Sequence, residues 1–234
     1  MKPLRAFFQR VVEAQFRNST RKLVDSDAEQ AVLEELIDRH AKLPVPEGFE
    51  KLHYLLYTPF RHPPLQHGSR FGTRAERGIL YGARDLAVAL AEVAYYRLLF
   101  LEGPGEDLSP IAVELTSFSF GIRAKKSADL TGESRVSSKA SYAHSQRRGR
   151  ELRESGVQAC LYLSARSRPP GVCVAVFDDV FDPRHPKAER RWSCTATRAR
   201  VEFRSQELIG RDQGWAFARE QFEVSNRLPA PGLG

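Results

Sequence analysis

Residues 86–102 read LAVALAEVAYYRLLFLE, a run that is apolar on nearly every side of a helix. A helix of that kind must be covered on most sides, which demands a layered domain packed around it. Asp85 stands at the N-cap position, and the Gly-Pro-Gly turn at 103–105 stops the run. One carboxylate, Glu92, interrupts it between Ala91 and Val93. Its helical neighbours include Val88, Ala89, Tyr95, Tyr96 and Leu99, so the spacing predicts a covered acid. A covered carboxylate is costly unless it is paired or lines a polar pocket. Arg97 falls on another side of the helix, whereas Arg61, Arg70, Arg74 and Arg77 lie just upstream. Glu92 is therefore expected to meet one of those arginines or to floor a pocket.

The other segments mix strands and helices without regular alternation, which points to an α+β fold and not to a doubly wound parallel sheet. Ser26 and Glu29 have capping-box spacing ahead of a helical stripe at Leu33, Leu36 and Ile37, ended by Pro44 and Pro46. Those prolines mark the expected boundary between a helical extension at 1–46 and the main domain at 47–228, with a frayed tail at 229–234. LHYLLY at 52–57 reads as a strand, and 58–72 as a long loop. GILYGA, then IAVELTSFSF at 111–120, ACLYLSAR, GVCVAVFD and TRARVEFRS read as strands, the third and fourth as a hairpin across SRPPG. Residues 121–140 read as loop, and 141–156 as a helix stopped by Gly156.

Lys and Arg number 36 against 29 Asp and Glu, a net charge of +7, which suits an anionic partner. Three cysteines without CxxC spacing argue against a disulfide framework or zinc site and for a reducing compartment. His53, His62, His67 and His144 lack metal-ligand spacing and read as loop or surface residues, so no metal is expected. There is no GxSxG elbow for acyl transfer. No run approaches the roughly 18 apolar residues of a membrane span, so a soluble, cytoplasmic protein is expected.

Arg70, Tyr81 and Glu92 follow one another at intervals of eleven residues. Downstream, YAHSQRRGRELRESGVQACLYLSAR places Ser-Gln at a helix start, then a Gly-Val turn, an apolar strand and a closing Ser-Ala-Arg. Taken in this order, the segments resemble the RES domain family over about residues 52–180, in the subgroup with an N-terminal extension. The chain departs from compact members in its early segment, and in SRFGT where many have Trp-Asn after the arginine.

The resemblance implies a mixed sheet core with flanking helices, similar to ADP-ribosyltransferases. It implies an enzyme that breaks the nicotinamide–ribose bond of NAD by hydrolysis or phosphorolysis, with inorganic phosphate as co-substrate in the second case. It further implies a toxin paired with a DNA-binding Xre-type antitoxin. Mapped onto this chain, Glu92 would stabilise the ribose cation, Arg70 and Arg61 would bind phosphates, and Tyr81 would pack on the nicotinamide. Ser145 would hydrogen-bond the ribose or a phosphate, with Gln146 and Arg166 as further substrate contacts. NAD is then a substrate held in a cleft, consistent with the absence of a GxGxxG loop. Protein ADP-ribosylation shares the bond-breaking step and stays open, as does the oligomeric state. A basic nucleic-acid-binding module is the third alternative, weakly supported because SQRRGRELR carries no interleaved aromatics.

Overall fold

In the computed structural model, residues 1–14, 26, 29, 43–103, 110–207 and 213–231 are described. The spine is a 19-residue strand, β3 (Ile111–Asp129), too long to be covered by one neighbour. β1 (Lys2–Glu13) runs antiparallel along it, in register from Leu4 opposite Ala124 to Glu13 opposite Leu115. On the other edge β6 (Lys187–Ala196) pairs antiparallel with its first half, and β4 (Ala159–Leu163) pairs parallel with its end. β2 (Leu80–Ala83) and β5 (Val172–Val176) link β1 to β4, so the order β1-β2-β5-β4-β3 closes on itself through the β1–β3 pairing. β7 (Arg200–Ser205) and β8 (Gly214–Ala218) extend the sheet beyond β6.

Period-two alternation sorts the strand side chains between two cores. Cys160 and Tyr162 of β4 and Cys173 and Ala175 of β5 enter one, while Ala159, Val174 and Val176 enter the other. α2 (Leu86–Glu102) packs in the first core through Leu90, Ala94, Tyr95 and Leu98. α1 (Tyr54–Arg61) packs in the second through Leu55, Leu56 and Phe60, against Phe8, Phe118 and Phe120. α3 (Ala143–Glu154) buries Ser145, Gly149 and Leu152, the last in the first core. The α+β class expected from the sequence describes this mixed architecture.

Several local expectations are corrected. LHYLLY begins a helix: His53 accepts from the Leu55 N–H at its start, and one side of the short apolar run is buried. Residues 121–129 continue β3, because Ile122 and Ala124 reach the second core between outward Arg123 and Lys125. The helical character expected for 1–46 fails at 2–13, where Leu4, Ala6 and Phe8 alternate onto a core face. The helix expected after Ser26 lies outside the described residues, although the Glu29 N–H donates to Ser26 Oγ at 3.2 Å. Pro229, assigned to a frayed tail, accepts a hydrogen bond from the Tyr95 hydroxyl. Gly156 adopts a φ of 73° beyond α3, as a helix stop requires.

Candidate active site

α2 presents one side to solvent through Tyr96 and Phe100, and Glu92, one turn before Tyr96, lies at the margin of that side, half-buried. Its Oε1 accepts from Ser164 Oγ at 2.6 Å. Ser164 follows β4, where alternation from Tyr162 directs it to the face that carries α2. The same hydroxyl accepts from the backbone N–H groups of Arg166 and Ser167 at 3.0 and 3.1 Å. One serine thus ties the carboxylate to the β4–β5 turn. Among the described residues no arginine lies within ion-pair distance of Glu92.

Among the upstream arginines, Arg70 comes under the influence of the Glu92 charge. It is 6% exposed, and its Nη1 donates to the carbonyls of Val136 and Ser138 at 2.9 and 3.0 Å. Its guanidinium carbon lies 5.0 Å from the Tyr142 ring centre and 5.9 Å from that of Tyr162, a cation–π setting on two sides. Burial works to lower the Arg70 pKa, but Tyr162 and the Glu92 carboxylate outweigh it and raise the pKa above its ordinary value. A permanent cation and a fixed carboxylate therefore share one environment without neutralising each other by direct contact. Arg61 donates to the Leu43 carbonyl, at the end of the helix packed in the other core, and is not part of this group. Arg77 lies over Phe49 and 3.7 Å from Asp178.

Tyr81 and Gln146, expected to touch substrate, serve the segment that carries Arg70. The Tyr81 hydroxyl pairs with Ser69 Oγ at 2.8 Å and accepts from the Phe71 N–H at 3.0 Å, bracketing Arg70 in sequence. Burial raises the Tyr81 pKa well beyond that of a free phenol, so the hydroxyl stays protonated. The Gln146 amide donates to the carbonyls of His67, Ser69 and Gly72 at 3.1, 3.1 and 3.4 Å. Gly149, one turn further along α3, allows the closest approach: a Cβ there would stand 2.1 Å from the Phe71 carbonyl oxygen. Ser145, expected to contact ribose or phosphate, is 1% exposed and donates back to the Tyr142 carbonyl at 3.1 Å. The hydroxyl that meets Glu92 is that of Ser164.

Arg166 is 2% exposed and stacks on Tyr95, with 3.5 Å from its guanidinium carbon to the ring centre. Its Nη2 reaches the Lys139 carbonyl at 3.4 Å, while Nη1 meets no acceptor among the described residues. Burial pushes the Tyr95 phenol up to about 12, with Arg166 opposing. Tyr96 and Tyr142 meet hydroxyl to hydroxyl at 3.0 Å, joining α2 to the start of α3. Tyr96 was legible as the helical neighbour of Glu92 and Ser164 from its two-residue step after Tyr162, whereas Tyr142 carried no spacing signal of its own. The assembled group brings one carboxylate, two buried guanidiniums and several aromatic rings together, with the carboxylate placed to stabilise a positive charge beside it. Among the described residues no helix is long and apolar enough to cross a membrane.

No curated protein matches the chain. The family model of the RES domain matches residues 43–197, which contain Arg70, Tyr81, Glu92, Ser145, Ser164 and Arg166. With most of its length and its whole candidate site inside that match, the chain belongs to the RES domain family.

Proposed function

We propose that this RES domain cleaves the bond between nicotinamide and ribose in NAD. RES domains are generally NAD-related enzyme domains. The observation that carries the reading is Glu92, held on a rigid helix by Ser164, with Arg70 electrostatically coupled but not bound to it. In the reaction the glycosidic C–N bond breaks and its electron pair stays with the nicotinamide nitrogen, which becomes neutral. Positive charge passes to the ribose, where a preorganised carboxylate stabilises it. Water or phosphate then donates an electron pair to the anomeric carbon, and water gives up a proton to Glu92 or solvent.

Arg70 and Arg166 supply the cationic counterpart for the phosphates of the substrate. Tyr81 and Gln146 act as positioning residues for Arg70, and Tyr96 and Tyr142 wall the ribose side. The mixed sheet with α2 and α3 beside one core supports an ADP-ribosyltransferase-like fold. An NAD-consuming enzyme in the cytoplasm fits a toxin role with an Xre-type antitoxin as partner.

The test is nicotinamide release from NAD by purified protein, with and without phosphate. Wild type is expected to release nicotinamide, and Glu92→Ala to abolish release while keeping its circular dichroism spectrum. NAD left intact by wild type under both conditions overturns the reading. Label from the adenine side of NAD on a protein band would instead assign ADP-ribosyl transfer.

A further inference from the structure

The segment that holds Arg70 also walls a cleft of about 550 Å3, lined by Ser134, Arg135, Ser138, Ser141, His144 and Arg147. Among the described residues no carboxylate lines it. Arg147 and Arg148 are chain neighbours with opposite surroundings. Arg148 is engaged by Glu133 and Glu151 at 3.3 and 3.1 Å. Arg147 and Arg135 meet no carboxylate among the described residues. Lys139, in the same segment, has its pKa lowered by burial and by the nearby Arg168 and Arg166. Among the described residues, the positive charge of Arg135 and Arg147 thus meets no internal counter-ion.

Two forked guanidiniums, an imidazole and three hydroxyls around one concavity match the donor geometry that phosphoryl oxygens take. The cleft shares a wall with the Glu92 site, because Ser138 lines it while its carbonyl holds Arg70 at 3.0 Å. We propose that this cleft is a phosphoryl-binding subsite, with Arg135 and Arg147 as its anchors. Its ligand is a phosphate, supplied by the diphosphate of the dinucleotide or by free phosphate attacking the ribose. The choice between those sources rests on the NAD reading above; the anion site itself does not.

Calorimetric titration with ADP and, separately, with inorganic phosphate tests it on wild type, on an Arg135→Ala/Arg147→Ala double variant and on Arg150→Ala. Arg150 is 56% exposed on the same helix outside the cleft and controls for loss of charge alone. The double variant is expected to bind at least about tenfold more weakly, and Arg150→Ala to bind as wild type does. Ligand should also shift the His144 ring resonances of the wild-type protein. Tight ADP binding with weak phosphate binding assigns the substrate's own diphosphate. Phosphate binding that accelerates nicotinamide release, lost in the double variant, assigns the attacking phosphate. Failure of both anions to bind wild type, an unmoved His144, or a double variant that binds like wild type overturns the proposal. NAD cleavage with an unchanged KM in the double variant removes the cleft and leaves the NAD reading standing. Anion binding lost in the double variant, with no cleavage by wild type, does the reverse.

Discussion

Ser164 Oγ donates to Glu92 Oε1 at 2.6 Å while accepting two backbone N–H groups of the turn that follows it. The carboxylate on α2 is thereby referenced to the sheet and not only to its own helix. Ser164→Ala should cost about 1–3 kcal/mol in stability, since buried N–H groups lose their acceptor. Nicotinamide release should fall by about tenfold in kcat with little change in KM, because Glu92 remains but is no longer oriented. Urea unfolding and steady-state kinetics check the two effects separately. An unchanged kcat would show that α2 alone positions Glu92.

Tyr81→Phe removes the hydroxyl that serves both Ser69 and Phe71, on either side of Arg70. A loss of about 1–3 kcal/mol is expected from the unsatisfied Phe71 N–H and Ser69 hydroxyl. KM for NAD should rise through the displaced Arg70. Lost turnover without lost stability would instead place the phenol on the substrate.

Deleting residues 1–14 should prevent folding into a soluble protein. β1 pairs with β3 over most of its length, contributes Phe8 and Val11 to the two cores, and joins α2 through Glu13 and Arg97 at 2.5 Å. Its removal bares a long unpaired edge on β3. Soluble yield and circular dichroism decide; a folded, active shortened chain would make the segment the appendage that the sequence suggested.

Glu76 steadies the loop after Arg70. Its carboxylate accepts from the Thr73 N–H at 2.6 Å and pairs with Arg153 of α3 at 2.6 Å. Burial opposes the charge, but the Thr73 and Arg153 contacts outweigh it and hold the carboxyl below its usual 4.5. A depressed folded pKa means that this stabilisation is present above pH 4.5 and is lost as pH falls through the folded value. Glu76→Gln should therefore unfold at lower urea than wild type near neutrality, with the gap closing toward pH 3. A gap that persists in acid would contradict the linkage.

The parts of this protein that were legible in the sequence are those whose signal is local. The apolar run of α2, its start at Asp85 and its end at Gly103 follow from helical period and breakers. The β4–β5 hairpin follows from two apolar runs on either side of SRPPG, and Arg70, Tyr81 and Glu92 were singled out by a family resemblance before any geometry. Partners distant in sequence decided the rest. Whether 2–13 is strand or helix depended on β3 more than a hundred residues away, and LHYLLY became helical because one side of it could enter a core. The hydrogen-bond partners within the candidate site were decided in the same way. Tyr81, Gln146 and Ser145 carry donors and acceptors suited to substrate, but the fold spends them on backbone groups, leaving Ser164 to meet Glu92. Side-chain chemistry is written residue by residue, whereas which hydrogen bond each polar group satisfies is settled only when distant backbone is buried beside it.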